Sequence, residues 1–352
     1  MADLTSALLE QVQQARTDGT RLNLVGGNSK PFMGRTAEGE PLSLSGHRGI
    51  VSYHPVELVL TARAGTPVAE VQATLAERGQ MLACDPPLFD GQATLGGTLA
   101  CHLSGPGRPW SGSIRDQLLG LRLINGQGEH LRFGGQVMKN VAGYDVSRLQ
   151  AGAMGTLGVI TELSFKVMPV PECTLTLVHE LDADAALIEM NRLAAQPRPL
   201  TAACWLDNRL YLRLSGAASA VESTAHTWPG EVLEDGNAFW RDLREQRLAF
   251  FTGNAPLWRF SVRSTAPHDL PDAAWLLDWG GSQRWLRGEF DKAELERLAE
   301  AAGGQVALYR GGNRDAEVLH TLPAPMQALQ RRLKAALDPD GLFNPGRLYG
   351  WL

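Results

Sequence analysis

Leu4, Leu8 and Val12 recur at four-residue spacing, with Ala7 and Ala15 beside them. This predicts an amphipathic opening helix with Asp3 or Thr5 at its N-cap and Gly19 as its stop. Arg21 to Val25 predicts a short strand that runs directly into Gly26-Gly-Asn-Ser-Lys30. Gly49–Tyr53 and Leu58–Ala62 predict strands separated by a turn at Pro55. Pro67 stands where a first helical turn tolerates it, and Val68, Val71 and Leu75 share one face of a helix ending near Gly79. Met81–Cys84 is read as the returning strand, and Leu118–Ile124 and the residues to 133 as a hairpin around Asn125-Gly126. A polar turn at 139–145, a short helix at 146–150 and a strand at 159–167 follow. Beyond residue 173 strands are predicted at 175–181, 210–214, 258–262 and 274–279, with helices at 183–195 and 292–302. In the tail, Met326, Leu329, Leu333 and Leu337 lie on one face of a helix, which predicts a packed apolar stripe.

One stretch escapes both periods. Asp85 to Asp116 spans 32 residues with six glycines and four prolines and reads as a long loop. Leu95, Leu99, Trp110 and Ile114 interrupt its glycines with groups that want burial, so it reads as ordered and folded against something large. Closely spaced glycines let a backbone approach a ligand and turn N–H groups toward an anion. The same two readings, turn-making and phosphate cradle, apply to residues 26–30. There Asn28, Ser29 and Lys30 add side-chain donors and one positive charge. Neither a Walker A loop nor a Rossmann GxGxxG is present. Gly152, Gly155 and Gly158 form a second cluster, for which close backbone contact with a ligand is the natural reading.

Composition narrows the class. The chain has 352 residues, enough for two domains, and a net charge of −5 with no basic run, which gives no electrostatic footprint for nucleic acid. Four cysteines, at 84, 101, 173 and 204, lack metal-ligand spacing and suggest a reducing compartment; no metal site is expected. The N-terminus lacks the basic and apolar regions of a signal peptide, and no apolar run approaches a membrane span. Eight of the nine tryptophans follow residue 200, where they are read as core of an α+β domain rather than ligand stackers.

Seven segments in order resemble the FAD-binding fold of the vanillyl-alcohol oxidase/p-cresol methylhydroxylase (PCMH) type. They are GGNSK at 26–30, ARAGTPVAEVQATLAERG at 62–79, ATLGGTLA at 93–100, SGSIRDQLLG at 111–120, KNVAGYDVSRL at 139–149, GTLGVIT at 155–161 and DPDGLFNPGR at 338–347. More closely, GRPWSGS at 107–113, RFGGQVMKNVAGYD and DWGGSQRWL resemble the smaller FAD-binding subunits of bacterial glycolate oxidases. The resemblance implies an α+β fold. Its PCMH-type FAD-binding domain would cover 1–172 (subdomains about 1–52 and 53–172), with an α+β cap domain at 173–320 and a C-terminal segment, 321–352, returning to the FAD domain. It also implies FAD contacts from Gly26, Gly27, Asn28, Ser29 and Lys30 and from Thr94, Leu95, Gly96 and Gly97. Further contacts would come from Ser111, Gly112, Ser113, Ile114 and Arg115, from Gly158, Val159, Ile160 and Thr161, and from Asn344 and Gly346.

Some relatives tether FAD through a histidine in the first loop. Asn28-Ser29 stands there instead, so FAD is expected to be non-covalent, with His47, His54 and His102 as formal alternatives. Oxidation of a 2-hydroxy acid needs a base, a cation for the carboxylate and a positioned flavin. The GDGNxH motif of the larger subunits is absent from the sequence. The resemblance therefore implies a flavin subunit working with a larger FAD-containing subunit and an iron–sulfur subunit on glycolate. It implies a cytoplasmic location, reaching the membrane only peripherally through partners. The alternatives are a stand-alone 2-hydroxy-acid dehydrogenase, with Arg259 or Arg284 as carboxylate clamp, and a scaffold with a degenerate flavin site.

Overall fold

A computed structural model describes residues 3–135, 144–268 and 273–352. The chain divides into two compact units. The first comprises residues 1–103, 113–169 and 314–352, and the second residues 104–112 and 170–313. Residues 139–143 of the predicted polar turn lie outside the described residues.

The first unit opens with α1 (Thr5–Asp18), which buries Leu8, Val12 and Ala15 and ends at Gly19 in the left-handed region (φ +67°). Neither expected cap acts as one. Leu4 is the N-cap residue, its amide donating to His47 Nδ1, while Asp3 accepts from the Thr5 amide and hydroxyl one residue too early. β1 (Leu22–Val25) pairs in parallel with β2 (Glu40–Ser43). Next come β3 (Ile50–His54), β4 (Val59–Arg63), α2 (Val68–Ala76), β5 (Gln80–Met81), α3 (Leu95–Cys101), β6 (Leu118–Ile124), β7 (His130–Gly134), β8 (Val159–Lys166) and β9 (Met168–Pro169). An antiparallel sheet of order β3-β4-β8-β6-β7 carries α2 and α3 over a core that includes Leu60, Leu75, Leu99, Leu123 and Phe165.

Four local expectations change. The returning strand after α2 is only Gln80–Met81, because its partner β9 is two residues long and a turn from Leu82 to Asp85 (φ +40°) follows. The β6–β7 connection is a five-residue loop rather than a two-residue turn, because Asn125 Oδ1 accepts the amides of Gln127 and Glu129. The stretch 85–116 is ordered as expected but is not one long loop, since it holds α3 and single-turn helices at Arg108–Ser111 and Ile114–Gln117. The C-terminal helix, Ala324–Leu337, does not bury its apolar stripe. Met326 and Leu329 are 43% and 45% exposed, and Lys334 is its buried residue.

The second unit is an eight-stranded antiparallel sheet. Its strands are β10 (Cys173–Glu180), β11 (Leu200–Leu206), β12 (Arg209–Gly216), β13 (Glu231–Val232), β14 (Leu257–Ser261), β15 (Trp275–Asp278), β16 (Gln283–Arg287) and β17 (Gln305–Arg310). The order is β13-β10-β12-β11-β15-β16-β14-β17. The β11–β12 hairpin turns on Asp207-Asn208, both left-handed (φ +50° and +56°), the pairing a tight hairpin favours. Helices α4 (Ala183–Ala194) and α5 (Ala218–Thr227) supply Met190, Leu193 and Val221 to its core. Six tryptophans, 228, 240, 258, 275, 279 and 285, are buried, as their clustering predicts. Residues 104–112 belong here because of specific anchors: the Trp279 indole donates to the Gly105 carbonyl, the Arg108 guanidinium lies 4.6 Å from the Trp279 ring, and Trp110 packs on the core. Among the described residues no helix is long and apolar enough to cross a membrane.

Candidate functional site

Four segments of the first unit converge on one groove: the end of β1 with residues 26–33, the Thr94–Cys101 turn and helix, residues 154–160, and the tail at 344–347. Its walls are built by backbone contact that only glycine permits. A Cβ on Gly27 would lie 1.7 Å from the Gln92 carbonyl oxygen, and one on Gly26 would lie 2.5 Å from Thr94 Oγ1. Gly96 meets Ala64 in the same way, at 2.7 Å, so α3 can press against the exit of β4. Thr94 caps α3, its hydroxyl accepting from the Gly97 amide at 3.3 Å. Asn344, left-handed at φ +40°, bridges two walls. Its Oδ1 accepts from the Leu24 amide at 2.7 Å and its Nδ2 donates to the Met154 carbonyl at 2.6 Å.

Charge gives the groove its character. Lys30 is buried, donates to Ser29 Oγ at 3.0 Å and stands 5.5 Å from the Phe89 ring. Arg347 also lines the groove, donating to the carbonyls of Arg35 and Pro31. Burial pulls the Arg347 pKa down, and the neighbouring Cys101 opposes that shift. Among the described residues, no aspartate or glutamate lines the groove. Two cations, glycine-exposed backbone and no carboxylate suit a diphosphate, whose charges need convergent donors. The cavity is about 210 Å³, below the roughly 300–1,000 Å³ of a typical small-molecule pocket, which is room for one portion of an elongated ligand rather than the whole of it.

Eleven of the residues singled out from the sequence line the groove: Gly26, Gly27, Asn28, Ser29, Lys30, Thr94, Gly96, Gly97, Gly158, Ile160 and Asn344. The others lie elsewhere, for identifiable reasons. Leu95, Ile114 and Val159 point into the apolar core. Thr161 is a buried knot, its carbonyl 3.0 Å from His47 Nε2 and its hydroxyl 2.9 Å from His130 Nε2. Ser113 forms a capping box with Asp116 and reaches His102 Nε2, and the Arg115 carbonyl accepts from Arg148. Ser111 and Gly112 belong to the second unit, and Gly346 lines a separate cavity of about 480 Å³. In the second unit, Arg284 is buried with its guanidinium donating to the carbonyls of Gly281, Pro267 and Ala266, a structural clamp on its own chain. The Arg259 guanidinium lies 5.4 Å from the Tyr309 ring. Histidines 47, 54 and 102 are not among the lining residues.

Gly155, of the second glycine cluster, also lines the groove, and sequence reasoning missed Cys101, Met154 and Arg347. Arg347 had a signal, since it follows Asn-Pro-Gly in the terminal motif. Cys101 had none beyond lying four residues after Gly97 on a helix. Among the described residues no cluster of His, Cys, Asp and Glu is placed to hold a metal.

Residues 3–134 match a protein family described as an FAD binding domain. The glycolate oxidase subunit GlcE of Escherichia coli (strain K12) is 48% identical over 351 residues, covering 99% of each chain. This chain belongs to the GlcE family. The glycolate oxidase subunit GlcD of Bacillus subtilis (strain 168) is 30% identical over 187 residues, 52% of this chain and 38% of that one. The mitochondrial D-2-hydroxyglutarate dehydrogenase of Bos taurus is 32% identical over 93% of this chain and 72% of its own. Among solved structures, an alkyldihydroxyacetonephosphate synthase superposes with a TM-score of 0.63 over 96% of this chain and 75% of that one. At 17% identity this speaks for the fold alone. The cofactor of the family domain is FAD, and the groove suits its diphosphate, with two cations and no acid among the described lining residues and no room for a Cβ at Gly26, Gly27 or Gly96.

Neutralising either cation is expected to weaken FAD. Lys30→Met and Arg347→Met should each raise the FAD dissociation constant roughly 10- to 100-fold, the scale of one charge-assisted hydrogen bond. The penalty should shrink at high salt. Flavin fluorescence titrations at two ionic strengths read both effects, and a salt-independent loss would point to damaged packing instead.

Proposed function

We propose that this groove holds FAD non-covalently and that the chain is the FAD-binding subunit of a multi-subunit glycolate oxidase that converts glycolate to glyoxylate. The carrying observation is the carboxylate-free, doubly cationic groove within a chain aligned end to end with GlcE. Bound FAD supplies a two-electron acceptor ring. Lys30 and Arg347 would neutralise the diphosphate, Gly26, Gly27, Gly96 and Gly97 would admit it, and Asn344 would hold the walls in register.

The substrate proton chemistry is assigned to a GlcD-type sister subunit, with an iron–sulfur subunit taking the electrons onward in the cytoplasm. One fact supports that division: the sequence lacks the GDGNxH motif. The 170–313 unit would act as the cap.

The test is anaerobic reduction. The purified chain is expected to be yellow and to keep its flavin oxidised when glycolate is added alone. Its flavin should bleach once the sister subunit is present. Bleaching by glycolate without any partner would replace this reading with a stand-alone dehydrogenase, and a colourless chain that cannot be loaded with FAD would replace it with a scaffold.

A further inference from the structure

The C-terminal helix is an odd element energetically. Isolated helices shorter than roughly 12–15 residues are marginal in water, and this one, of 14 residues, leaves most of its side chains exposed. What it does bury is a charge. Lys334 Nζ donates to the Thr156 carbonyl at 2.7 Å, to Asp338 Oδ2 at 2.6 Å and to the Phe343 carbonyl at 2.8 Å, which uses all three ammonium donors. Asp338, itself buried, accepts from the amides of Leu342 at 3.0 Å and Phe343 at 2.9 Å. Two segments are thereby tied to one ion pair. Thr156 lies between Gly155 and Gly158 of the groove wall, and Phe343 immediately precedes Asn344.

We propose that Lys334 and Asp338 are positioning residues for the cofactor: their buried pair fixes the 154–158 turn against residues 343–347, so that Asn344 and Arg347 are set for FAD before it arrives. This rests on the groove being the FAD site. Hydrophobic packing could join the two segments but would not fix their register. A lysine with three acceptors at one point specifies the approach of Thr156 to Phe343 to within a hydrogen-bond length. Asn344 then spans from Leu24 to Met154 with both ends of its amide engaged.

A merely structural pair would cost stability without a specific effect on the cofactor, because removing one partner of a buried pair leaves an uncompensated charge. The experiment therefore reads coupling. Apo full-length chain is titrated with FAD by flavin fluorescence for the wild type, Lys334→Met, Asn344→Ala and their combination, at a temperature where circular dichroism shows all four folded. Each single change is expected to raise the dissociation constant roughly tenfold, the scale of a lost or misplaced hydrogen bond. The combination should be no worse than the weaker-binding single variant, because both changes remove one constraint. A Lys334→Met constant within threefold of wild type, or a combination that multiplies the two losses, overturns the proposal. If Lys334→Met does not fold, Lys334→Arg decides: the longer, planar group is expected to weaken FAD at least fivefold with an unchanged spectrum, and wild-type binding overturns the proposal. Lys30→Met is titrated in parallel. If it too leaves FAD binding unchanged, the groove assignment has failed and not the clasp alone.

Discussion

Gly27→Ala is expected to purify without flavin. The added methyl would sit 1.7 Å from the Gln92 carbonyl oxygen and 2.8 Å from its carbon. Both are backbone atoms, which no rotamer change can move. The chain can accommodate the methyl only by parting residues 26–30 from residues 92–94, and that separation opens the groove between the Lys30 loop and the Thr94 turn. Each hydrogen bond to a charged phosphate contributes about 1.5–3 kcal/mol, so losing two or more lowers affinity by at least roughly a hundredfold. Most of the core, including Leu60, Leu75, Leu123 and Phe165, is contributed by other segments, and far-UV circular dichroism should stay close to wild type. Gly79→Ala is the matching control. Gly79 is left-handed at φ +61° with nothing within 4 Å of the added atom, so it carries only the roughly 1–2 kcal/mol conformational penalty and should retain FAD. Gly97, equally prominent in the sequence motif, is more forgiving, because its Cβ would meet only the Thr94 hydroxyl, at 3.0 Å. A full flavin complement in Gly27→Ala would refute the placement of the diphosphate.

The second large effect is a pH dependence in the other unit. Asp278 ends β15 fully inside the protein, accepting from the Trp279 amide at 2.7 Å and from Gln283 Nε2 at 3.2 Å. Burial pushes its carboxyl from an ordinary 3.8 up to about 7, against the pull of those hydrogen bonds and of Arg213. The folded state therefore holds a proton that the unfolded chain releases near pH 4. The stability this contributes is complete below pH 4 and is lost as pH rises through 7, an effect on the order of 4 kcal/mol. Thermal unfolding should shift downward between pH 5 and 8. Asp278→Asn, neutral throughout, should flatten that slope and exceed the wild type above pH 7. Parallel curves for the two proteins would show that the carboxyl ionises freely in the fold.

Much of this was legible in the sequence because periodicity reports burial, and burial decides most of a fold. The opening helix, the strands of the first sheet, four of the eight strands of the second and the tryptophan-rich core follow from spacing, whereas Leu200–Leu206, Glu231–Val232, Gln283–Arg287 and Gln305–Arg310 are not read as strands from it. Glycine and local charge located the Lys30 loop and the Gly96-Gly97 turn. What spacing could not convey was direction. Along Val159-Ile-Thr161 the strand sends Ile160 into the groove and its neighbours into the core and the histidine knot, and motif membership alone cannot separate them. Nor could the pattern show that Ser104–Gly112 belongs with the second unit, since that depends on the Trp279 indole and Arg108, partners over 170 residues apart in the first case. The tail helix misled for a related reason. Its apolar stripe predicts packing, whereas the residue it buries is a lysine.

The link from Leu24 to Asn344 spans 320 residues, and this has a consequence for timing. During synthesis the Lys30 loop emerges early, and the strands of the first sheet are complete once residue 166 has left the ribosome. The second unit follows, and only then do Asn344 and Arg347 appear. A nascent chain halted after residue 313 would hold all the strands of both sheets yet lack one wall of its groove. A chain that ends before Asn344 is therefore expected to purify without flavin, which its visible absorbance reads.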